Sequence, residues 1–364
     1  MISFEPSEEQ QMLITAVKRF ADREIRAVYR DCEEEGEIPK DLIQKGWDLG
    51  LIPGGIPEQY EGFAEEHSAV TGALFAEDLA WGDLAIALHL LTPGLVAYPI
   101  LLCGTEEQRE TLLPQFCDED YKPATAALIE PSIQFDPGAL RTTAVLDGDA
   151  YVLNGRKAYV PLAAEADLVL VYAAEDGATQ GFLVEKGTAG LEIGEREKNM
   201  GIHALATYGL TLNDCRVSRV NKLGGEGGCD LDKLMAYSRV TTAAMAVGVA
   251  RASYEYALAY AKEREAFGEP IASRQAIAFM LAEMAIDIDA ARLMTWEAAW
   301  RLDKGKDATK EAYIAKLFAD DMVLRVTDGG VQVLGGYGYI REYPVELWLR
   351  NGRGFAMFDG LAMV

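Results

Sequence analysis

Near the end of the chain, in RGFAMFDGLAMV, one carboxylate, Asp359, stands between an aromatic residue and a glycine, and this arrangement admits two readings. A carboxylate held in a water-poor pocket has its pKa raised towards neutrality, which makes proton abstraction feasible. An aspartate before a glycine equally serves as a polar residue in a turn. The three histidines, His67, His89 and His203, are too scattered to suggest a metal site or a triad and read as structural. Cys32, Cys103, Cys117, Cys215 and Cys229 form no C-x-x-C pair and are odd in number, which argues against a disulfide framework or a zinc site. They read as reduced, mostly packed thiols. No Walker A loop, no G-x-G-x-x-G at a strand–helix junction and no H-E-x-x-H appears, so nucleotide-fold and zinc-hydrolase chemistry gain no support.

Three blocks must position any such group. From about Pro6 to Leu113 the pattern is helical: SEEQQMLITAVKRFADREI sets Met12, Leu13, Val17, Phe20 and Ile25 on roughly one face, and Ser7 with Gln10 makes a capping box. Thr105 caps a further helix that Pro114 ends. From about Ala124 to Gly228 the period changes to two. RTTAVL and AYVLN flank DGD as a hairpin, and DLVLVYAA and GFLVEK follow as strands. From Asp230 the helical period returns, with Ile277, Met280, Leu281, Met284, Ile288 and Ala291 in a stripe that reads as bundle core or subunit contact. The cleft where the blocks meet is the default site.

At 364 residues, half of them hydrophobic, the chain buries a substantial core. No apolar run approaches the ~20 residues that cross a bilayer, and the acidic start MISFEPSEEQQ lacks the basic and apolar regions of a signal peptide, so a cytoplasmic protein without a membrane span is expected. The formal charge of −24 repels phosphate backbones, and no basic stripe compensates, which excludes nucleic acid as a partner.

Several long segments then carry a resemblance. AALIEPSIQFD, YVLNGRKAYV, KNMGIHALATYGL, SRVTTAAMAVGVA, YAKEREAFGEPIASRQAIAFMLAEM and VQVLGGYGYIREYPVELWLRNGR, which follow one another in the family's order, resemble the acyl-CoA dehydrogenases from about residue 5 to the end. The resemblance implies an α+β flavoprotein fold: an N-terminal helical domain (1–120), a middle β-barrel-like domain (121–228) and a C-terminal four-helix bundle (229–364). It also implies FAD, an acyl-CoA thioester substrate, electron-transfer flavoprotein as electron acceptor and usually a homotetramer. The family's reaction removes the α-proton of the thioester while the flavin accepts the β-hydride. The base is usually a glutamate in an aromatic-Glu-Gly-Thr motif, and Asp359 falls on that position. The alternative base position, just before the arginine of the long helix, holds Ser238, which cannot serve as a carboxylate. Aspartate is shorter by a methylene, a displacement of roughly an Å that can cost about a hundredfold in rate. Arg239 matches the arginine of the long helix and is expected to shape the CoA or active-site region, an intersubunit ion pair being the competing reading.

Departures from the family pattern fall on one side. Thr-Glu-Pro-x-Ala-Gly-Ser-Asp becomes Ile129 to Asp136, with Phe135 crowding the space. Tyr159 replaces a frequent tryptophan, and Pro161 replaces a threonine whose hydroxyl and amide face flavin N5; proline offers neither donor. Leu361 and Ala362 replace the Thr and Ser after the base and glycine, and His203 and Leu205 replace an Arg and a Ser thought to be near CoA. By contrast Arg264, Phe267, Gln332, Gly335 and Gly336 match the segments that hold the adenine and pyrophosphate end of the FAD of a neighbouring subunit. The family pattern continues with a further helix where this sequence stops at Val364; whether the sequence is truncated there or the helix is absent, a self-sufficient flavin site is expected to be weakened. These contrasts imply one subunit of a heteromeric enzyme, whose homologous partner carries a complete flavin cradle in a dimer or heterotetramer. A same-fold enzyme running a non-oxidative proton abstraction with Asp359 as base, and a catalytically silent scaffold, are the alternatives. Acyl chain length is not legible; Trp81, Tyr98 and Phe279 are expected either to line the pocket or to fill the core.

Overall fold

The structure, a computed structural model, describes residues 6–364. Residues 1–5, part of the acidic start read above against a signal peptide, lie outside it.

The first block is helical: α1 (Glu8–Phe20), α2 (Arg26–Glu35), α3 (Lys40–Trp47), α4 (Ala69–Gly82), α5 (Leu84–Leu91), α6 (Gly94–Cys103) and α7 (Glu106–Leu112). The capping boxes at Ser7/Gln10 and Thr105/Gln108 are both formed, satisfying orphan amides at each helix start. Ile14, Val17 and Phe20 turn inward on α1, but Met12, expected on the same face, is 70% exposed. The buried arc of α1 is narrower than the spacing implies, because its partner α4 meets one side of it only. Helices α4 to α6 are apolar almost all round and are accordingly interior. The α5–α6 pair is bent by 46°, and among the described residues no single helix is long and apolar enough to cross a membrane.

The middle block is a sheet of β1 (Ala124–Ala127), β2 (Thr143–Asp147), β3 (Ala150–Pro161), β4 (Leu168–Glu175), β5 (Ala178–Glu185), β6 (Leu191–Arg196) and β7 (Thr207–Ser218), in the order β1-β4-β2-β3-β7-β6 with β5 paired on β4. The expected hairpin joins β2 and β3, with Gly148 at φ 67° in its turn. One face encloses a core of its own around Leu153, Val169, Phe182 and Cys215.

The last block holds α8 (Leu231–Glu263), a short hairpin of β8 (Glu265–Ala266) and β9 (Glu269–Pro270), α9 (Gln275–Asp303), α10 (Thr309–Leu334) and α11 (Val345–Gly352). Helix α8 is the spine of the molecule. It packs on α4 closely enough that a Cβ at Gly248 would meet the Glu77 carbonyl oxygen at 2.1 Å. Arg251 of α8 bonds Glu77 and Asp78 of α4, both at 2.6 Å, and Arg292 of α9 reaches Glu77 at 3.0 Å. Of the stripe on α9, Leu281, Met284, Ile288 and Ala291 are buried, with Ile277 and Met280 packed against them. Phe279 does not fill the core: it is 58% exposed, because it falls on the opposite face of α9 with Ile286 and Leu293. Tyr98 is core, its hydroxyl donating to the Leu51 and Ile52 carbonyls, and Trp81 bonds Glu255 at the surface. All five cysteines are free.

Candidate functional site

Asp359 follows a 3-10 turn (Phe355–Met357), where the Phe355 and Phe358 rings meet edge-on at 5.4 Å. Gly360 adopts φ 77°, turning the chain so that its amide donates to Ser238 Oγ at 3.2 Å. Ser238 is therefore a tie for the turn that carries Asp359. Arg239, next on α8, places Nη2 3.8 Å from Asp359 Oδ2 and lays its guanidinium 5.1 Å from the centroid of the Tyr313 ring of α10. Asp359 Oδ1 and Arg239 Nε are buried without a hydrogen-bond partner. Ser238, Arg239 and Asp359 thus converge, with an acidic oxygen left open to accept a proton.

Two residues of this neighbourhood were not singled out from the sequence. Lys316 Nζ donates to Asp320 at 2.8 and 2.7 Å and to the Phe355 carbonyl at 2.8 Å, fastening α10 beneath the Asp359 turn. Burial, reinforced by the charges of Asp359 and Asp321, pushes the Asp320 carboxyl up to about 6 against the pull of Lys316. The signal available in the sequence was a Lys and an Asp one helical turn apart at positions the apolar period makes inward-facing.

Beyond the turn, Leu361, Ala362, Met363 and Val364 are buried between α8 and the first block, with the Val364 amide bonded to Thr241 Oγ1 at 3.1 Å. The apolar space beside Ser238 and Gly360, lined also by Leu95, Leu234, Met235 and Met363, amounts to about 10 Å³. That is room for about one water and not for an acyl chain.

The β-domain side of the site is equally short of donors. Glu130 is consumed structurally: its oxygens accept from the Arg141 and Thr142 amides at 2.8 Å and from Lys157 Nζ at 3.1 Å. Burial lowers Lys157 to about 8 despite that partner. Phe135 is half-buried against the main core, while Ile133 is fully exposed. At the bulge of β3, Tyr159 sits at φ 53° with its amide bonded to Glu197, and Pro161 pairs with Thr207 without an N–H to offer. A cleft of about 240 Å³ opens between Tyr159, the loop Lys198–Ile202 and the segment Arg350–Phe358. Asn351 Oδ1 accepts the Ile202 amide at 2.8 Å there, while Asn351 Nδ2 and Arg350 Nη2 lack partners. His203 is used locally, its Nε2 2.7 Å from the Asn199 carbonyl and its amide bonded to Glu33.

The remaining sequence-selected residues lie elsewhere. Arg264 caps the C-terminal end of α8, 25 residues on from Arg239, which is about 37 Å of helix. Its carbonyl accepts the Ile271 amide at 2.8 Å, closing the β8–β9 hairpin, and its guanidinium lies 5.6 Å from the centroid of Tyr337. Phe267 projects from the hairpin tip at φ 56°, 96% exposed. Gly335 ends α10 at φ 58° with its amide on the Gln332 carbonyl, and a Cβ at Gly335 or Gly336 would meet nothing. Arg264, Phe267, Gln332, Gly335 and Gly336 thus face solvent along one edge, open to a planar ring and an anion.

These two regions fit a flavin dinucleotide unequally. The edge at Arg264 and Gly335 offers a cation, an exposed aromatic ring and unobstructed backbone, which suit an adenine and a pyrophosphate. Pro161, Leu361 and Ala362 bring no side-chain donor for ring atoms that gain charge on reduction, and Leu361 and Ala362 are packed in the core.

Three family models match the chain: the acyl-CoA dehydrogenase N-terminal domain at residues 7–120, the middle domain at 125–215 and the C-terminal domain at 226–363. Among curated relatives, the caffeyl-CoA reductase-Etf complex subunit CarC of Acetobacterium woodii is 36% identical, over 98% of this chain and 96% of its own length. The short-chain specific acyl-CoA dehydrogenase of Rattus norvegicus mitochondria is 34% identical over 100% of this chain and 89% of its own. Among solved structures, butyryl-CoA dehydrogenase from Megasphaera elsdenii superposes with a TM-score of 0.90 at 32% identity, covering 99% of this chain and 96% of that one.

Proposed function

The chain belongs to the acyl-CoA dehydrogenase family, and from that premise we propose that it is one subunit of a heteromeric, FAD-dependent enzyme that dehydrogenates an acyl-CoA thioester. In this reading a homologous partner chain holds the isoalloxazine, and this chain lends Arg264, Phe267, Gln332, Gly335 and Gly336 to the adenine and pyrophosphate end of the same cofactor. FAD, when bound, supplies the acceptor for the substrate's β-hydride. Electron-transfer flavoprotein is the proposed oxidant of the reduced enzyme, a reading supported by the Etf-complex relative. The three blocks divide at residues 120 and 228, and the enzyme works in the cytoplasm.

The observation that carries the proposal is the unequal fit at the two ends of α8. Pro161 brings no donor at its place in β3, Leu361 and Ala362 are taken into the core, and the space beside Ser238 is nearly closed. The outward residues Phe279, Ile286 and Leu293 of α9 and Ile314 and Leu317 of α10 give a partner chain apolar surface to cover. In a complex co-expressed with a homologous chain that has an intact cradle, Arg264→Ala in this chain is expected to cut flavin retention at least tenfold without separating the chains. Full retention by that variant would remove the support for a shared cofactor.

A second reading keeps acid–base chemistry in this chain. The buried, unpartnered Asp359 Oδ1 favours Asp359 as the acceptor of a thioester α-proton, with or without a flavin beside it. Asp359→Ala is then expected to lower turnover of the complex by about a hundredfold or more. Unchanged turnover would leave Asp359 as a residue of the turn.

A further inference from the structure

In the cleft between Tyr159, the loop Lys198–Ile202 and the segment Arg350–Phe358, acceptors are used up and donors are left over. Asn351 Oδ1 takes the Ile202 amide at 2.8 Å, the Met200 carbonyl takes Arg350 Nη1 at 3.0 Å, and the Asn199 carbonyl lies 2.7 Å from His203 Nε2. Two donors on adjacent residues have no acceptor: Asn351 Nδ2, on a side chain that is 1% exposed, and Arg350 Nη2. A buried donor without a partner is costly, so a pair of them side by side points to a ligand that supplies the acceptor. The walls are firmly built. A Cβ at Gly201 would meet Asn351 Oδ1 at 2.7 Å and the Arg350 carbonyl oxygen at 2.8 Å, so the loop is pressed onto the end of α11. Tyr159 and Ile202 hold φ of 53° and 51°, a backbone conformation that non-glycine residues keep only where their surroundings impose it.

Charge and size narrow the ligand. The chain carries a formal charge of −24, yet Lys198, Arg350 and Arg353 line this cleft and no carboxylate does. The acids behind it are engaged: Glu33 and Glu346 bond Arg350, and Glu197 accepts the Tyr159 amide. Tyr159, Met357 and Phe358 add aromatic and apolar wall. The volume of about 240 Å³ lies just below the roughly 300–1,000 Å³ of drug-sized ligand pockets and suits one ring with one acid group. We propose that this cleft binds a small aromatic carboxylate, its acid group held by Arg350, Asn351, Lys198 and Arg353 and its ring by the apolar wall. Planar amide and guanidinium donors match a carboxylate, and two further cations favour its charge. The site is independent of the shared-cofactor reading, since none of its residues is among those lent to the adenine end.

Calorimetric titration of the full chain with sodium benzoate, with benzamide and with inorganic phosphate tests the assignment. Benzoate is expected to saturate a single site. Benzamide, which keeps the ring without the charge, and phosphate, which keeps charge without the ring, are each expected to bind about tenfold more weakly or worse. Lys198→Gln combined with Arg353→Gln, both on exposed side chains, is expected to weaken benzoate about tenfold. Asn351→Asp keeps an acceptor for the Ile202 amide but puts negative charge in place of the spare donor, and is expected to abolish binding. Absence of benzoate binding, or benzamide or phosphate bound as tightly as benzoate, overturns the proposal. So does benzoate bound with unchanged affinity by both variants, because the ligand then sits elsewhere.

Discussion

Pro161 and Lys157 lie in the same strand and show how single residues divide the work of the site. Pro161 holds a ladder position opposite Thr207 yet brings neither a hydroxyl nor an amide hydrogen to the space in front of it. Lys157 points the other way, into the protein, where it neutralises Glu130, and Glu130 in turn fixes two amides of the segment leading into β2. Removing one member of a buried pair strands the other, so Lys157→Met is expected to cost about 3–5 kcal/mol of stability, read from urea unfolding. Replacing both, by Lys157→Met with Glu130→Leu, is expected to recover part of that loss, although the Arg141 and Thr142 amides then lack their acceptor. A single variant as stable as the parent would show that the pair is solvated. Lys157 and Glu130 could each be picked out from the sequence through their family positions; that they neutralise one another could not, because 27 residues separate them and only the register of β3 against the preceding loop brings them together.

At the scale of elements, α8 acts as a ruler. Its first turns carry Ser238 and Arg239 against the Asp359 turn, and its end presents Arg264 beside the Gly335–Gly336 turn, so one helix holds these two groups of residues far apart. The exposed hairpin that follows is tied to the body by the Ile271–Arg264 bond, and Phe267 at its tip is 96% exposed, with the Arg274 guanidinium 5.8 Å from its ring centroid. Phe267→Ala is therefore expected to leave the thermal midpoint of the isolated chain within about a degree while weakening flavin retention in the complex. A large fall in midpoint would mean that the ring is part of the fold. The first block makes a different prediction. His67, in the loop before α4, and His89, on α5, each keep a ring nitrogen buried without a partner, and burial lowers both to about 4. An unfolded histidine titrates near 6.5, so the stability they allow is complete above that value and is lost as pH falls from 6.5 towards 4. Asp83, raised to about 6 by burial, acts in the opposite sense and regains stability as pH falls below 6. His89→Leu should accordingly flatten the fall in midpoint between pH 7 and pH 5, and an unchanged slope would show His89 to be hydrated. The sequence revealed the Ser7/Gln10 capping box, the Thr105 cap and the inner stripe of α9, because local hydrogen bonds and a one-sided burial write themselves into short windows; the Gln108 half of the second box was not read. Periodicity misplaced Met12 and left Phe279 undecided, because which arc of a helix is covered depends on a neighbour far along the chain.

For the whole molecule, the three-block order was legible from the change of period, and the resemblance supplied what period cannot: which residues of the last block are candidates for a cofactor site. The site around Asp359 was legible only in part. Asp359, Ser238 and Arg239 meet as the family positions implied, while Lys316 and Asp320 became visible only once α10 was folded beneath the turn. The molecule that results has an open edge at Gly335 and Gly336 and a nearly filled apolar space beside Ser238 and Gly360. The proposal that this chain supplies half of a shared site is read most directly by the visible spectrum. The chain purified alone should show no flavin absorbance, and the complex with its homologous partner should carry about one FAD for each pair of chains. Flavin bands at one FAD per chain in the protein purified alone would contradict the account.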